Sequence, residues 1–124
     1  MMPAIQISKD VQAWFNARQD AMTSFIKEMA RMESPSSDRE ALLEILIWLE
    51  RQFTALGMYT IRVPGKASGG YLYARPKQKF PDQPVQLLIG HCDTVWPLHT
   101  LREMPLSETE QRLAGPGVYD MKAG

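Results

Sequence analysis

Cysteine is nearly absent: Cys92 stands alone in 124 residues, so no internal disulfide can staple the fold, as expected of a chain kept in a reducing compartment. Long apolar runs are missing too. The longest, Ile45 to Leu49, falls far short of the roughly 20 residues that a membrane helix needs. Met1 to Asp10 shows no basic stretch followed by an apolar core of signal-peptide length. Charge of one sign is also lacking, since 14 Lys and Arg residues balance 14 Asp and Glu residues. No net field draws the chain to phosphates or anionic lipid, and Lys77 with Lys79 is too small a basic cluster, without interleaved aromatics, to argue for nucleic acid. The expectation is a cytoplasmic protein with neither nucleic acid nor membrane as partner.

What is present suits one modest core: 44% apolar and 23% charged residues lie in the ordinary range for a soluble domain. Val11, Phe15, Met22, Phe25, Met29 and Met32 recur in three- and four-residue steps, interrupted at Arg18. This predicts one amphipathic helix, capped by Asp10, with its stripe in the core. Glu33-Ser34-Pro35-Ser36 breaks the pattern, and Ser37 with Glu40 has the spacing of a capping box. A second helix is predicted from there to about Leu56, with Leu42, Ile45, Leu46, Leu49, Phe53 and Leu56 inward and Gly57 as terminator.

Alternation over Met58 to Val63 and again over Gly70 to Arg75 predicts two strands joined as a hairpin. Lys77 to Pro84 reads as loop, and Val85 to Ile89 as a strand buried on both faces. Beyond Gly90, prolines at 97, 105 and 116 with glycines at 115, 117 and 124 predict little regular structure. The fold class expected is α/β: two helices followed by a mixed sheet.

The apolar run leads directly into Gly90-His91-Cys92-Asp93-Thr94-Val95, at the strand end where α/β folds build their sites. If the backbone stays extended there, His91 and Asp93 share one face and Cys92 turns to the other. A metal-binding histidine gives its second ring N–H to a carboxylate or carbonyl, and His-x-Asp offers that locally. Taken alone, the same pair also reads as a satisfied histidine with Asp93 capping a turn. Cys92 reads as a small buried thiol and His99 as a surface-loop histidine.

A second polar segment, Gly115-Pro116-Gly117-Val118-Tyr119-Asp120-Met121-Lys122-Ala123-Gly124, places one carboxylate after a glycine-rich turn. Such a turn lets the backbone approach a crowded site, and a carboxylate can bridge two cations because each oxygen holds one. Alone, Asp120 reads rather as the cap of a helix starting near Met121. A dinucleotide-binding loop is rejected: Asp120 stands where the third glycine belongs, and Pro116 removes a backbone donor.

Together these two segments resemble the two N-terminal signatures of the co-catalytic zinc metallopeptidases, the family of glutamate carboxypeptidase, aminoacylase, acetylornithine deacetylase and succinyl-diaminopimelate desuccinylase. Glu33-Ser34-Pro35-Ser36 and Trp96-Pro97 are similar to that family as well. Gly115-Pro116-Gly117 resembles the carboxypeptidase subgroup, where the deacetylases usually carry Gly-Arg-Gly.

The resemblance implies that His91 is a terminal zinc ligand, that Asp93 serves catalysis by orienting His91, and that Asp120 bridges two Zn2+ ions, with Co2+ as an alternative metal. It implies a cis peptide after Asp120. It further implies hydrolysis of a small peptide or N-acyl amino acid by metal-activated water. The family's Glu-Glu pair, a further acidic ligand and a late histidine fall outside these 124 residues. The chain is therefore expected to be the N-terminal portion, residues 1–124, of a catalytic domain whose parent the resemblance implies to be a homodimer through a lid domain absent here, and to be inactive alone. The alternative is a short non-catalytic binding or structural protein that keeps the scaffold.

Overall fold

A computed structural model describes residues 2–78 and 81–124; Lys79, predicted to share a basic cluster with Lys77, lies outside them. The fold mixes α and β in this order: helices α1 (Met2–Asn16), α2 (Gln19–Arg31) and α3 (Arg39–Ala55), strands β1 (Met58–Val63) and β2 (Tyr71–Pro76), a short helix α4 (Thr100–Glu103), strands β3 (Ser107–Thr109) and β4 (Arg112–Ala114), and a wide helical turn over Val118–Lys122. No helix among the described residues is long and apolar enough to cross a membrane.

The single first helix predicted from the periodicity is two helices. The chain breaks at Ala17 and Arg18, where the Arg18 guanidinium lies 4.2 Å over the Trp14 ring and donates to the Trp14 carbonyl at 3.3 Å. Asp10 caps nothing. It sits inside α1 and accepts from the Gln6 side chain one turn earlier. The apolar stripe is accordingly only half used: Val11 and Phe15 are about half exposed, whereas Ala30 near the end of α2 is buried.

Helix α3 forms as its pattern predicts, but its cap is Asp38 and not Ser37. The Asp38 carboxylate accepts from the Ala41 N–H at 2.9 Å, which satisfies one of the unpaired donors of the first turn. Leu42, Ile45 and Leu46 are buried, with Ile45 fully so, while Leu56, predicted inward, is 76% exposed at the helix end. Gly57 follows with a φ of +77°, the left-handed value that ends a helix at little cost for glycine.

The buried face of α3 packs on β1 and β2, which pair antiparallel from Met58↔Pro76 to Val63↔Tyr71. Arg62 donates to Glu50 at 3.0 Å across that contact, and Phe25 meets Trp48 at 4.8 Å between α2 and α3. Strands β3 and β4 form a second antiparallel pair, tied to α2 by the ion pair of Lys27 and Glu108 at 2.7 Å. Instead of one mixed sheet, the described residues form two separate two-stranded ones. The residues after Gly90 are also more regular than the prolines predict.

Val85 to Ile89 departs furthest from expectation. None of the described residues pairs with it as a strand, and Val85, Leu87, Leu88 and Ile89 are 73–90% exposed. A two-faced apolar strand needs a ladder on its edges and cover on its faces, and β1–β2 and β3–β4 pair only with each other.

Among the described residues, parallel pairing is confined to one place. Pro35 forms an isolated bridge with Thr94, where the Thr94 N–H donates to the Ser34 carbonyl at 2.8 Å and the Ser36 N–H donates to the Thr94 carbonyl at 2.9 Å. This junction joins the α2–α3 connection to the His91–Thr94 segment and so positions the site.

Candidate metal site

His91 is held from both sides of its ring. On one side Nδ1 lies 3.1 Å from the Asp93 carbonyl oxygen and 3.2 Å from Asp93 Oδ1. On the other, Nε2 lies 3.0 Å from Asp120 Oδ1. His91 and Asp93 meet as expected, although the segment is not a strand, and the glycine turn carries Asp120, 29 residues later, onto the same ring. All three side chains remain partly open, at 46%, 39% and 75% exposed, so solvent reaches the group.

A neutral imidazole has one N–H and one lone pair, yet both ring nitrogens here face oxygen acceptors. Two species satisfy that geometry: an imidazolium donating both ways, or a neutral ring with Nδ1–H toward Asp93 and a cation between Nε2 and Asp120. The surroundings favour positive charge. The Asp93 carbonyl first, then the Asp120 carboxylate by hydrogen bond and by charge, raise the His91 pKa above 6.5 against the opposing effect of burial. Asp93 is held below its ordinary value, first by the Ser36 hydroxyl and, with burial opposing, by its own backbone N–H and by His91.

Asp93 is thus fixed on both oxygens. Ser36 Oγ donates to Oδ2 at 2.6 Å, while Oδ1 faces His91. Ser34 is fully buried and its hydroxyl donates to the Cys92 carbonyl at 2.7 Å, which holds the backbone between His91 and Asp93. Cys92 is half-buried, and burial, then the Asp93 charge, push its thiol pKa up. The neutral thiol is a poor ligand, consistent with a packing role.

Asp120 rides on the Val118–Lys122 turn, whose backbone leaves helical values at Asp120 (φ −119°, ψ 99°) and Met121. The Asp120–Met121 peptide is cis, as the resemblance implied. Gly117 opens the turn at φ +72°, and a Cβ there would stand 2.6 Å from Thr94 Cγ2; only glycine allows the turn to close onto the His91 segment. Lys122 closes the other end. It is 4% exposed and donates to the Met32 carbonyl at 2.8 Å, and burial lowers its pKa to about 8.

His99 lies away from this group, as a surface histidine at the start of α4. Its backbone N–H and that of Leu101 donate to Glu33 at 2.7 and 2.9 Å. Burial pushes the Glu33 pKa up, but the Leu101 and His99 donors outweigh it and hold the carboxylate below its ordinary value. Ser36, Ser34, Lys122 and Glu33 were not singled out as site residues by sequence reasoning. For Glu33, Ser34 and Ser36 the available signal was the Glu33-Ser34-Pro35-Ser36 break, which a turn alone also explains.

The donor set fits part of a zinc centre. Two ligands on one tetrahedral zinc, at bonds of about 2.0–2.1 Å, stand roughly 3.3 Å apart, and the 3.0 Å between His91 Nε2 and Asp120 Oδ1 needs only a slight opening. Among the described residues no group of three or more His, Cys, Asp and Glu could hold a metal ion, so a complete shell needs further donors. The chain matches no protein-family model and no curated protein.

Proposed function

We propose that this chain supplies one terminal ligand and the bridging carboxylate of a two-zinc amide hydrolase centre of the glutamate carboxypeptidase and aminoacylase type. The observation that carries the reading is the His91 ring, with Nδ1 against Asp93 and Nε2 against Asp120. An orienting carboxylate behind an imidazole is the arrangement that fixes tautomer and basicity for metal binding.

When bound, zinc would polarise an amide carbonyl and lower the pKa of a water. His91 would present its Nε2 lone pair, Asp93 would keep the proton on Nδ1, and Asp120 would offer an open carboxylate to two cations. A small peptide or N-acyl amino acid is the substrate class, with the carboxypeptidase side of the family favoured by Gly115-Pro116-Gly117.

A second reading, a non-catalytic protein retaining this scaffold, is favoured by the convergence, among the described residues, of only two donors on one point. Peptidase assays with added zinc test the ligand count but do not separate the two. Turnover by the chain alone contradicts the ligand count, and zinc binding without turnover fits both readings. The direct test of the site is a Zn2+ titration followed on the ring resonances of the two histidines. Shifts at His91, lost in Asp120→Ala, are expected; shifts confined to His99 overturn the assignment.

A further inference from the structure

We infer that Ser36 is a positioning residue for this site, acting on His91 through Asp93. An ionised carboxylate only accepts hydrogen bonds, so the 2.6 Å contact between Ser36 Oγ and Asp93 Oδ2 has the serine as donor. With Oδ2 taken, rotation of the Asp93 carboxylate is restricted, and Oδ1 stays 3.2 Å from His91 Nδ1. Ser36, Asp93, His91 and Asp120 form one chain of polar contacts, in which His91 Nδ1 faces both the Asp93 carbonyl oxygen at 3.1 Å and the Asp93 carboxylate.

The backbone locks Ser36 independently of its hydroxyl. Its N–H donates to the Thr94 carbonyl, and the Thr94 N–H donates to the carbonyl of Ser34. Those two bonds, which make up the Pro35–Thr94 bridge, involve no side-chain atom. The Ser36 hydroxyl also lies 3.1 Å from the Thr94 carbonyl, but its one hydrogen goes to the charged acceptor at shorter distance, since charge-assisted bonds are the stronger. Ser34 makes the useful contrast. It belongs to the same junction and is buried, yet its hydroxyl goes to the Cys92 carbonyl and not to Asp93.

The consequence for metal binding rests on the zinc reading above; the consequence for the ring does not. The test compares the full chain with Ser36→Ala, Ser36→Thr and Ser34→Ala, using 15N shifts of the His91 ring in metal-free protein at one alkaline pH where the ring is neutral. The Nδ1–H form is expected to dominate in the parent and in Ser36→Thr, and to fall several-fold relative to the Nε2–H form in Ser36→Ala. Ser34→Ala is expected to lower stability without moving that ratio.

Zinc affinity, measured separately, should fall about 10-fold in Ser36→Ala, at the low end of the 10–100-fold usual for such outer partners. An unchanged tautomer ratio in folded Ser36→Ala overturns the inference whatever zinc does. Should Ser36→Ala not fold, a changed ratio in Ser36→Thr overturns it instead. A changed ratio in Ser36→Ala alongside no zinc binding in the parent sinks the zinc reading and leaves Ser36 as the positioning residue.

Discussion

His91 Nε2 and Asp120 Oδ1 stand 3.0 Å apart although 29 residues separate them. Neither residue could reach the other without the Gly117 turn and the Thr94 junction beneath it. The first prediction follows from that distance. His91→Ala and Asp120→Ala should each lower zinc affinity at least 10-fold, while the helical circular dichroism stays intact because both side chains are exposed. Equilibrium dialysis against Zn2+ checks it; unchanged binding in either variant removes that residue from the site.

Gly117→Ala should be among the more damaging single-methyl additions. A left-handed φ costs a non-glycine residue about 1–2 kcal/mol, and the new Cβ would stand 2.6 Å from Thr94 Cγ2. Thermal unfolding should show a loss of at least that size, together with weakened zinc binding. A variant as stable as the parent would mean that the turn tolerates another path.

Lys122→Met keeps most of the buried volume but leaves the Met32 carbonyl, 2.8 Å from Nζ, without its donor. A buried acceptor stripped of its partner costs about 1–3 kcal/mol. Urea unfolding should report a decrease within that range, and a stabilised variant would show that the ammonium's burial outweighs its bond.

Glu33 gives a pH dependence whose sign is fixed. Its folded pKa lies below 4.5, so the stability it contributes is present above that value and is lost as pH falls through the lower, folded pKa. Glu33→Gln should therefore flatten part of the decline in melting temperature between pH 5 and pH 3. An unaltered slope would mean that the α4 contacts persist with a neutral carboxyl.

Local signals were legible and non-local ones were not. Helix α3, its glycine stop and the β1–β2 hairpin follow from periodicity and turn chemistry within a few residues of each element. The cap moved by one position, because Asp38 and Ser37 are both good caps and only the backbone path chooses between them. The α1–α2 break falls at Arg18, where the apolar spacing is interrupted, but the interruption alone does not say that the helix ends there or that the arginine folds back over Trp14. Val85 to Ile89 reads correctly as an apolar run, but strand pairing depends on neighbours that a run cannot specify.

Within the site, His91 and Asp93 were readable because period-two alternation acts over two residues. Asp120 entered through resemblance, since a contact across 29 residues leaves no local trace. Ser36 was missed because its contact with Asp93 spans 57 residues and serine before a helix has an ordinary capping role.

The central claim is that zinc binds between His91 and Asp120 and not at Cys92. X-ray absorption at the zinc edge of the chain loaded with one equivalent of Zn2+ tests it most directly, because zinc–sulfur bonds of about 2.3 Å are distinct from nitrogen and oxygen bonds of about 2.0–2.2 Å. The account predicts a shell of nitrogen and oxygen with one imidazole, and loss of the imidazole signal in His91→Ala. Sulfur in the shell, or an imidazole signal that survives His91→Ala, contradicts it.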